Sequence, residues 1–195
     1  MIRDALKIAL ADLPVPATPE AVDLMARHWE LVKAWNKRTN LTAILDDEEA
    51  AWLHYRDSLE VIPVLVPGDI VDIGSGAGFP GIPLAIVEPT RQVVLVEPRR
   101  KRASFLVTAV SRLGLKNVRV IEVRSGNVPE AQAQNVVTRA TFSNLEDLRA
   151  CERWAVPGGQ LIAYRAEASG DATARVHVYQ LRDERRVLEI WEKTR

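Results

Sequence analysis

The stretch Val71-Asp72-Ile73-Gly74-Ser75-Gly76-Ala77-Gly78-Phe79-Pro80-Gly81 decides how this chain reads. Its apolar lead, Asp69 to Ile73, predicts a buried strand that breaks into a glycine-rich turn and then opens a helix. Glycines at 74, 76 and 78 give the backbone access to positive φ and let a ligand approach where a Cβ would block it. An acid, Glu97, closes a second apolar strand over 92–97. That is about 20 residues beyond the turn, a spacing at which a carboxylate holds the two hydroxyls of a ribose. Glycine loop and spaced acid together point to an adenosine-containing ligand.

Two ligand classes stay open on the loop alone. A dinucleotide site wants G-x-G-x-x-G directly after the strand, but the sixth position from Gly74 is Phe79. The pattern fits only from Gly76, and Pro80 and Pro83 then remove N–H donors that a pyrophosphate would use. D-x-G-x-G-x-G is similar to the first motif of the S-adenosylmethionine-dependent methyltransferases, whose cofactor carries no phosphate.

Working outward, the first 66 residues show helical periodicity and no strand alternation. Val22, Met25, Trp29 and Val32 line one helix face, started by Thr18 as N-cap and Pro19 at the first position. Asp46 and Glu49 form a capping box for a second helix carrying Trp52, Tyr55, Leu59 and Ile62. Pro67-Gly68 marks a boundary, so a helical cap over 1–66 and a Rossmann-like unit over 67–195 are expected. Beyond it the pattern predicts strand 69–73, helix 81–88, strand 92–97, helix 99–113, strands 117–123 and 135–139, helix 144–154 and strand 160–165. Ser143 and Glu146 form a further capping box, and Pro157-Gly158-Gly159 precedes the last of these strands. Two closing stretches, 175–181 and 186–191, read as an antiparallel hairpin. The fold class is therefore α/β: a mostly parallel seven-stranded sheet with an antiparallel last strand.

Composition narrows the class of function. Hydrophobic content of 47% is ample for a core. The single cysteine, Cys151, excludes an internal disulfide and any cysteine-rich zinc site, and its spacing from Leu148 and Trp154 marks it as buried. No apolar stretch approaches the roughly 18 residues of a membrane-crossing helix, so a cytoplasmic monomer without membrane or metal partners is expected. Net charge is zero, which argues mildly against a polyanionic substrate. The distribution tells more: residues 1–66 carry 7 basic and 11 acidic side chains, whereas 67–130 carry 9 and 6. The densest positive run is Arg99-Arg100-Lys101-Arg102, either a phosphate footprint or a solvated helical turn.

The loop extended to Ile82-Pro83-Leu84 closely resembles that of the bacterial small-subunit ribosomal RNA guanine-N7 methyltransferases, also called glucose-inhibited division protein B. Trp35-Asn36 with Asn40-Leu41-Thr42, His54 with Asp57-Ser58-Leu59, and Lys101-Arg102 with Phe105-Leu106 agree with it. Pro80-Gly81-Ile82-Pro83 is the most specific block. The resemblance implies methylation, from S-adenosyl-L-methionine, of guanine N7 in the decoding-region loop of 16S ribosomal RNA, with free RNA or the small ribosomal subunit as partner. It places Asp72, Gly74, Gly76, Gly78, Phe79, Glu97, Ser125, Gly126 and Arg139 at the cofactor. It makes Asn40, Arg124, Arg165 and Arg185 candidates for positioning RNA. Ser125-Gly126 stands where the family shows a small residue and then glutamate, and Arg165 where lysine is common.

Guanine N7 is an unprotonated acceptor on the major-groove edge. Its methylation needs alignment and no general base, and alignment contributes about 7–11 kcal/mol. The chain accordingly shows no Ser/His/Asp set and no catalytic cysteine pattern. His54 and Asp57, three apart, share a helix face and read as a hydrogen-bonded brace for the cap in preference to a catalytic dyad. His28 and His177 lack partners in sequence and read as core or surface residues. A non-catalytic RNA-binding relative with a decayed donor pocket is the competing expectation.

Overall fold

The computed structural model describes residues 1–13, 17–124, 126, 129, 131–139, 142 and 144–194. Seven strands form one sheet in the order β3-β2-β1-β4-β5-β7-β6. They are β1 (Ile70–Ile73), β2 (Val93–Val96), β3 (Val118–Ile121), β4 (Ala133–Arg139), β5 (Ala155–Arg165), β6 (Arg175–Leu181) and β7 (Glu184–Glu192). Strands β1 to β5 pair in parallel, and β7 runs antiparallel to both β5 and β6. The chain winds outward through β1, β2 and β3, then returns to lay β4 beside β1. That reversal opens a crevice at the carboxyl ends of the strands, where open α/β sheets bind ligands.

Helices cover both faces. On one side lie α1 (Ile2–Ala9), α2 (Pro19–Thr39), α5 (Gly81–Val87) and α6 (Arg100–Leu113), with a helical run made of α3 (Asp47–Ala50), a π-helical segment (Ala51–Arg56) and α4 (Asp57–Leu59). Their apolar faces merge into one cluster with the sheet: Leu6, Met25, Trp29 and Tyr55 of the N-terminal helices are sealed together with Ile82, Leu95 and Phe105. The other face is closed by Leu148, Cys151, Trp154 and Trp191 over Val71, Ile73 and Val136, beneath the short α7 (Leu145–Arg149).

The caps follow the sequence where it spoke clearly. Thr18 accepts from Ala21 N at 3.2 Å with Pro19 at the first position, and Asp46 accepts from Glu48 and Glu49 N–H at 2.9 Å each. The helix expected over 144–154 instead ends at Arg149 and tightens into a 3-10 turn over Ala150–Trp154, which turns Cys151 and Trp154 into the core. Asn144 caps it, accepting from Asp147 N; Ser143 lies outside the described residues. Strand β5 starts five residues earlier than the expected 160, with Pro157-Gly158-Gly159 absorbed as an irregularity between its pairings Ala133↔Ala155 and Asn135↔Gln160. A buried amide pair anchors the boundary at 64–69: Asn135 Nδ2 donates to Val66 O, and Gln160 Nε2 donates to Val64 O and Asn135 Oδ1.

Candidate functional site

The carboxyl edge of the sheet collects most of the residues singled out in the sequence. Gly74 follows β1, Glu97 follows β2, Arg124 follows β3, Arg139 ends β4 and Arg165 ends β5. Arg185, near the start of antiparallel β7, meets that edge because Val187 pairs with Arg165. One end of the sheet thus holds two neighbouring features: a main-chain loop and an arginine-lined cleft.

The loop is shaped by its glycines. Gly74, Gly76 and Gly78 all have positive φ, at 76°, 56° and 93°. A Cβ on Gly78 would sit 2.5 Å from Ile82 Cδ1, and one on Gly81 would sit 2.2 Å from Leu95 Cδ2. Close helix-to-strand packing, as well as conformation, therefore demands glycine. Glu97 is buried and fastens the turn to β2: Oε2 accepts from Gly76 N at 2.9 Å and Oε1 from Arg99 N at 2.8 Å. Each oxygen retains a second lone pair for a hydroxyl. Asp72 lies wholly beneath the loop, its Oδ2 accepting from Gly81 N at 3.0 Å and its Oδ1 without a hydrogen-bond partner. Burial pushes the Asp72 carboxyl up to about 7, against the opposing pull of the Gly81 N–H. The buried Asp72 side chain reaches the loop through the Gly81 N–H. Gly126 is exposed, with its carbonyl held by Arg153 Nη1 at 2.8 Å, and Ser125 lies outside the described residues.

The N-terminal helices grip this loop through aromatic rings. His28 Nε2 donates to Ala77 O at 3.0 Å, which leaves Nδ1 to accept from the Tyr55 hydroxyl at 2.9 Å. Burial holds His28 down at about 4, so the ring is neutral. His54 stacks on Phe79 with centroids 4.5 Å apart and an interplanar angle of 12°, and its Nε2 pairs with Thr42 Oγ1 at 2.9 Å. Burial first, and then the charge of Arg139, lower His54 to about 3. The Arg139 guanidinium covers Phe79 at 5.5 Å. His28 is thus a satisfied core residue, one of the two settings its sequence left open, and its hold on the loop had no local signature.

The cleft, about 1010 Å³, is lined among others by His54, Asp57, Arg139, Arg165, Arg185 and Arg186. Asp57 is buried at its floor and gathers three elements. Its Oδ2 accepts from Arg139 Nη1 at 3.0 Å, its Oδ1 accepts from the Tyr179 hydroxyl at 2.7 Å, and Arg186 Nη1 stands 3.5 Å away. Arg139 also donates to the Leu53 and His54 carbonyls, at 3.0 and 3.4 Å, inside the π-helical turn. The expected brace of His54 and Asp57 therefore exists as two separate ones, His54 to the loop and Asp57 to the sheet. Asn40 ends α2 in the left-handed conformation with its side chain exposed; Arg102 Nη2 donates to its carbonyl at 3.2 Å. Tyr179 and Arg186 acquire meaning only from tertiary structure.

Comparison with known proteins now gives the arrangement a lineage. The family model for rRNA small subunit methyltransferase G matches residues 21–190. The chain belongs to that family. It is 38% identical over 173 residues to ribosomal RNA small subunit methyltransferase G of Hydrogenovibrio crunogenus, covering 88% of this chain and 80% of that one. Against the Nitrosomonas europaea family member it is 42% identical over 149 residues, 74% of this chain and 67% of that one. The fold is shared more widely than the family. A SAM-dependent methyltransferase from Aquifex aeolicus superposes with a TM-score of 0.56 at 21% identity, over 74% of this chain and 94% of that one. An MtNAS variant solved in complex with S-adenosylmethionine gives 0.60 at 16% identity, over 87% and 72%. Among the described residues no cluster of His, Cys, Asp and Glu fits a metal ion, and no helix is long and apolar enough to cross a membrane.

Proposed function

We propose that this member of the methyltransferase G family transfers a methyl group from S-adenosyl-L-methionine to N7 of a guanine in the decoding-region loop of 16S ribosomal RNA. The observation that carries this reading is the juxtaposition, at one sheet edge, of the Glu97-braced glycine loop and a cleft bearing Arg139, Arg165, Arg185 and Arg186. The loop fits an adenosine-type donor: Gly74 and Gly76 keep their backbone bare, and Glu97 has lone pairs to spare for ribose hydroxyls. When bound, the donor supplies an electrophilic methyl group on a sulfonium.

The chain's own residues align and enclose. Phe79, fixed between His54 and Arg139, gives the donor side a rigid wall. N7 carries a lone pair and no proton, so no residue has to act as a base. Both neutral histidines, His28 and His54, fit positioning roles. A cation directly beside N7 would oppose the positive charge developing on the purine, so the arginines serve phosphates or O6 instead. Residues 1–66 act as the cap that fastens the loop from above, and residues 67–195 as the methyltransferase unit. The substrate offers its guanine from an unpaired loop, because the A-form major groove is too narrow for side chains. A cytoplasmic site of action and a monomeric state accompany this reading.

The experiment is transfer of labelled methyl from S-adenosylmethionine to small ribosomal subunits lacking the modification, followed by mapping of the labelled base. Label on a single guanine N7 is the expected result. Saturable RNA binding without any transfer would overturn it in favour of a non-catalytic relative.

A further inference from the structure

Behind Arg165 of the cleft lies a buried acid that the proposed reaction does not use. Glu189 sits in β7 with its side chain 1% exposed. Its Oε1 accepts from Ser169 N at 2.7 Å and from Ser169 Oγ at 2.6 Å. Its Oε2 faces Arg165 Nε at 3.0 Å. A carboxylate placed inside a sheet is costly unless its charge is matched. Here the match is the charge of the Arg165 guanidinium: its Nε hydrogen is donated to Glu167 O at 3.3 Å, and Glu189 Oε2 accepts no hydrogen bond among the described residues. The Nη1 and Nη2 donors make no hydrogen bond among the described residues, and the side chain is 32% exposed where it lines both the main cleft and the adjoining 490 Å³ pocket.

The four arginines of the cleft therefore divide into two kinds. Arg139 and Arg186 are drawn inward by Asp57, and Arg186 is further paired with Glu184 at 2.8 Å. Arg165 is held by its inner edge only, and Arg185 beside it is exposed. A guanidinium fixed at Nε presents two parallel N–H bonds from its outer edge, the geometry that fits two oxygens of one phosphate. An ammonium has no such fork. The acids that also line the cleft, Glu167 and Glu184, leave that edge uncontested: Glu184 pairs with Arg186, and Glu167 engages Arg165 through its backbone carbonyl.

We propose that Glu189 is a positioning residue for substrate recognition: it orients Arg165 so that the outer fork of the guanidinium takes a backbone phosphate of the RNA. The inference rests on the functional reading above for the identity of the polyanion.

The test compares wild type with Glu189→Gln, Arg165→Gln, the double variant, Ser169→Ala and Arg165→Lys. Three quantities are read: affinity for a labelled decoding-region RNA hairpin, KM and kcat on small subunits, and calorimetric affinity for S-adenosylmethionine. Glu189→Gln removes a negative charge, so electrostatics alone predicts tighter RNA binding. Positioning predicts the opposite: binding weakened and KM raised by about tenfold, with kcat and donor affinity unchanged. Arg165→Gln gives the same loss, and the double variant loses no more than Arg165→Gln alone. Ser169→Ala, which spares the ion pair, stays within about twofold of wild type.

Tighter RNA binding in Glu189→Gln, additive losses in the double variant, or weakened donor binding would each overturn the proposal. So would a loss in Ser169→Ala equal to that in Glu189→Gln, because the loop and not Arg165 would then be what Glu189 serves. If Glu189→Gln melts below assay temperature, Arg165→Lys decides, since it keeps a cation beside Glu189 without the fork. A tenfold loss supports the assignment, and unchanged binding overturns it. A wild-type protein that binds the hairpin but transfers no methyl group would overturn the functional reading while leaving the Glu189 assignment to the affinities.

Discussion

The two halves of the site are built in opposite ways. The loop between β1 and α5 is one continuous segment, Gly74 to Pro80, whose shape is dictated by backbone conformation and by the lack of Cβ atoms. The cleft is assembled from side chains far apart in the chain: Asp57 meets Arg139 82 residues away and Tyr179 122 residues away. The first kind of site is written locally and fails by steric intrusion. The second depends on a few buried charges and fails when one of them is removed.

The largest effect should come from the cleft. Asp57→Ala removes the buried carboxylate shared by Arg139, Arg186 and Tyr179, and should cost about 3–5 kcal/mol of stability by denaturant titration. If the loss were under about 1 kcal/mol, the cleft would not hang on this one acid and the contrast would dissolve. On the loop side, Gly78→Ala should cost about 1–3 kcal/mol, because its Cβ collides with Ile82 at a positive φ. It should also abolish saturable binding of S-adenosylmethionine by calorimetry, while affinity for RNA falls little. Equal loss of both ligands would show that the two regions act as one.

A gentler probe of the loop is Glu97→Gln. The amide nitrogen would face either the Gly76 or the Arg99 N–H, and donor affinity should fall about tenfold. The melting temperature should move only modestly.

Acidity separates the groups that hold the loop. His28 titrates near 4 in the folded protein against an ordinary 6.5, so the unfolded chain takes up the proton first and stability falls as pH drops from 6.5 to about 4. Asp72 runs the other way. Its folded value of about 7 lies above the ordinary 3.8, so stability falls as pH rises between those limits. Over the shared span from about 4 to 6.5 the two slopes oppose each other, so relative to wild type the denaturant midpoint should slope downward with rising pH in His28→Gln and upward in Asp72→Asn. A profile unchanged by either substitution would count against their burial as charged-form penalties. The smallest effect belongs to Arg185→Gln. Stability should stay within about 0.5 kcal/mol, with the salt dependence of RNA binding reduced by about 0.7 in log–log slope for a single-stranded contact.

This contrast also explains what the sequence disclosed. The strand-loop-helix unit, the spaced Glu97 and the closing hairpin were legible because each is encoded within a short window by periodicity, glycine spacing or turn chemistry. The parallel character of the sheet followed from the alternation of elements, whereas its strand order came only with the structure. The cleft was legible only in part: resemblance pointed to Arg139, Arg165 and Arg185, but nothing in a window around Asp57 or Glu189 announces a partner on another strand. The helix through Trp52 and Tyr55 was expected to be regular, yet it widens over Ala51–Arg56, where the carbonyls of Leu53 and His54 meet Arg139. That is a tertiary demand on a segment of ordinary helical residues. Strand β5 shows the converse: Pro157-Gly158-Gly159 reads as a break, but the strand crosses it as an irregularity, tied on one side by Gly158 N donating to Lys193 O and Lys193 N to Gly159 O.

The single apolar cluster shared by the N-terminal helices and the sheet bears on ligand entry. Met25, Trp29 and Tyr55 are sealed in the same interior as Leu95 and Phe105, so lifting the N-terminal helices off the sheet would carry that apolar surface into water. The helices and the sheet therefore form one body, and the way in for a ligand is the cleft at the rim.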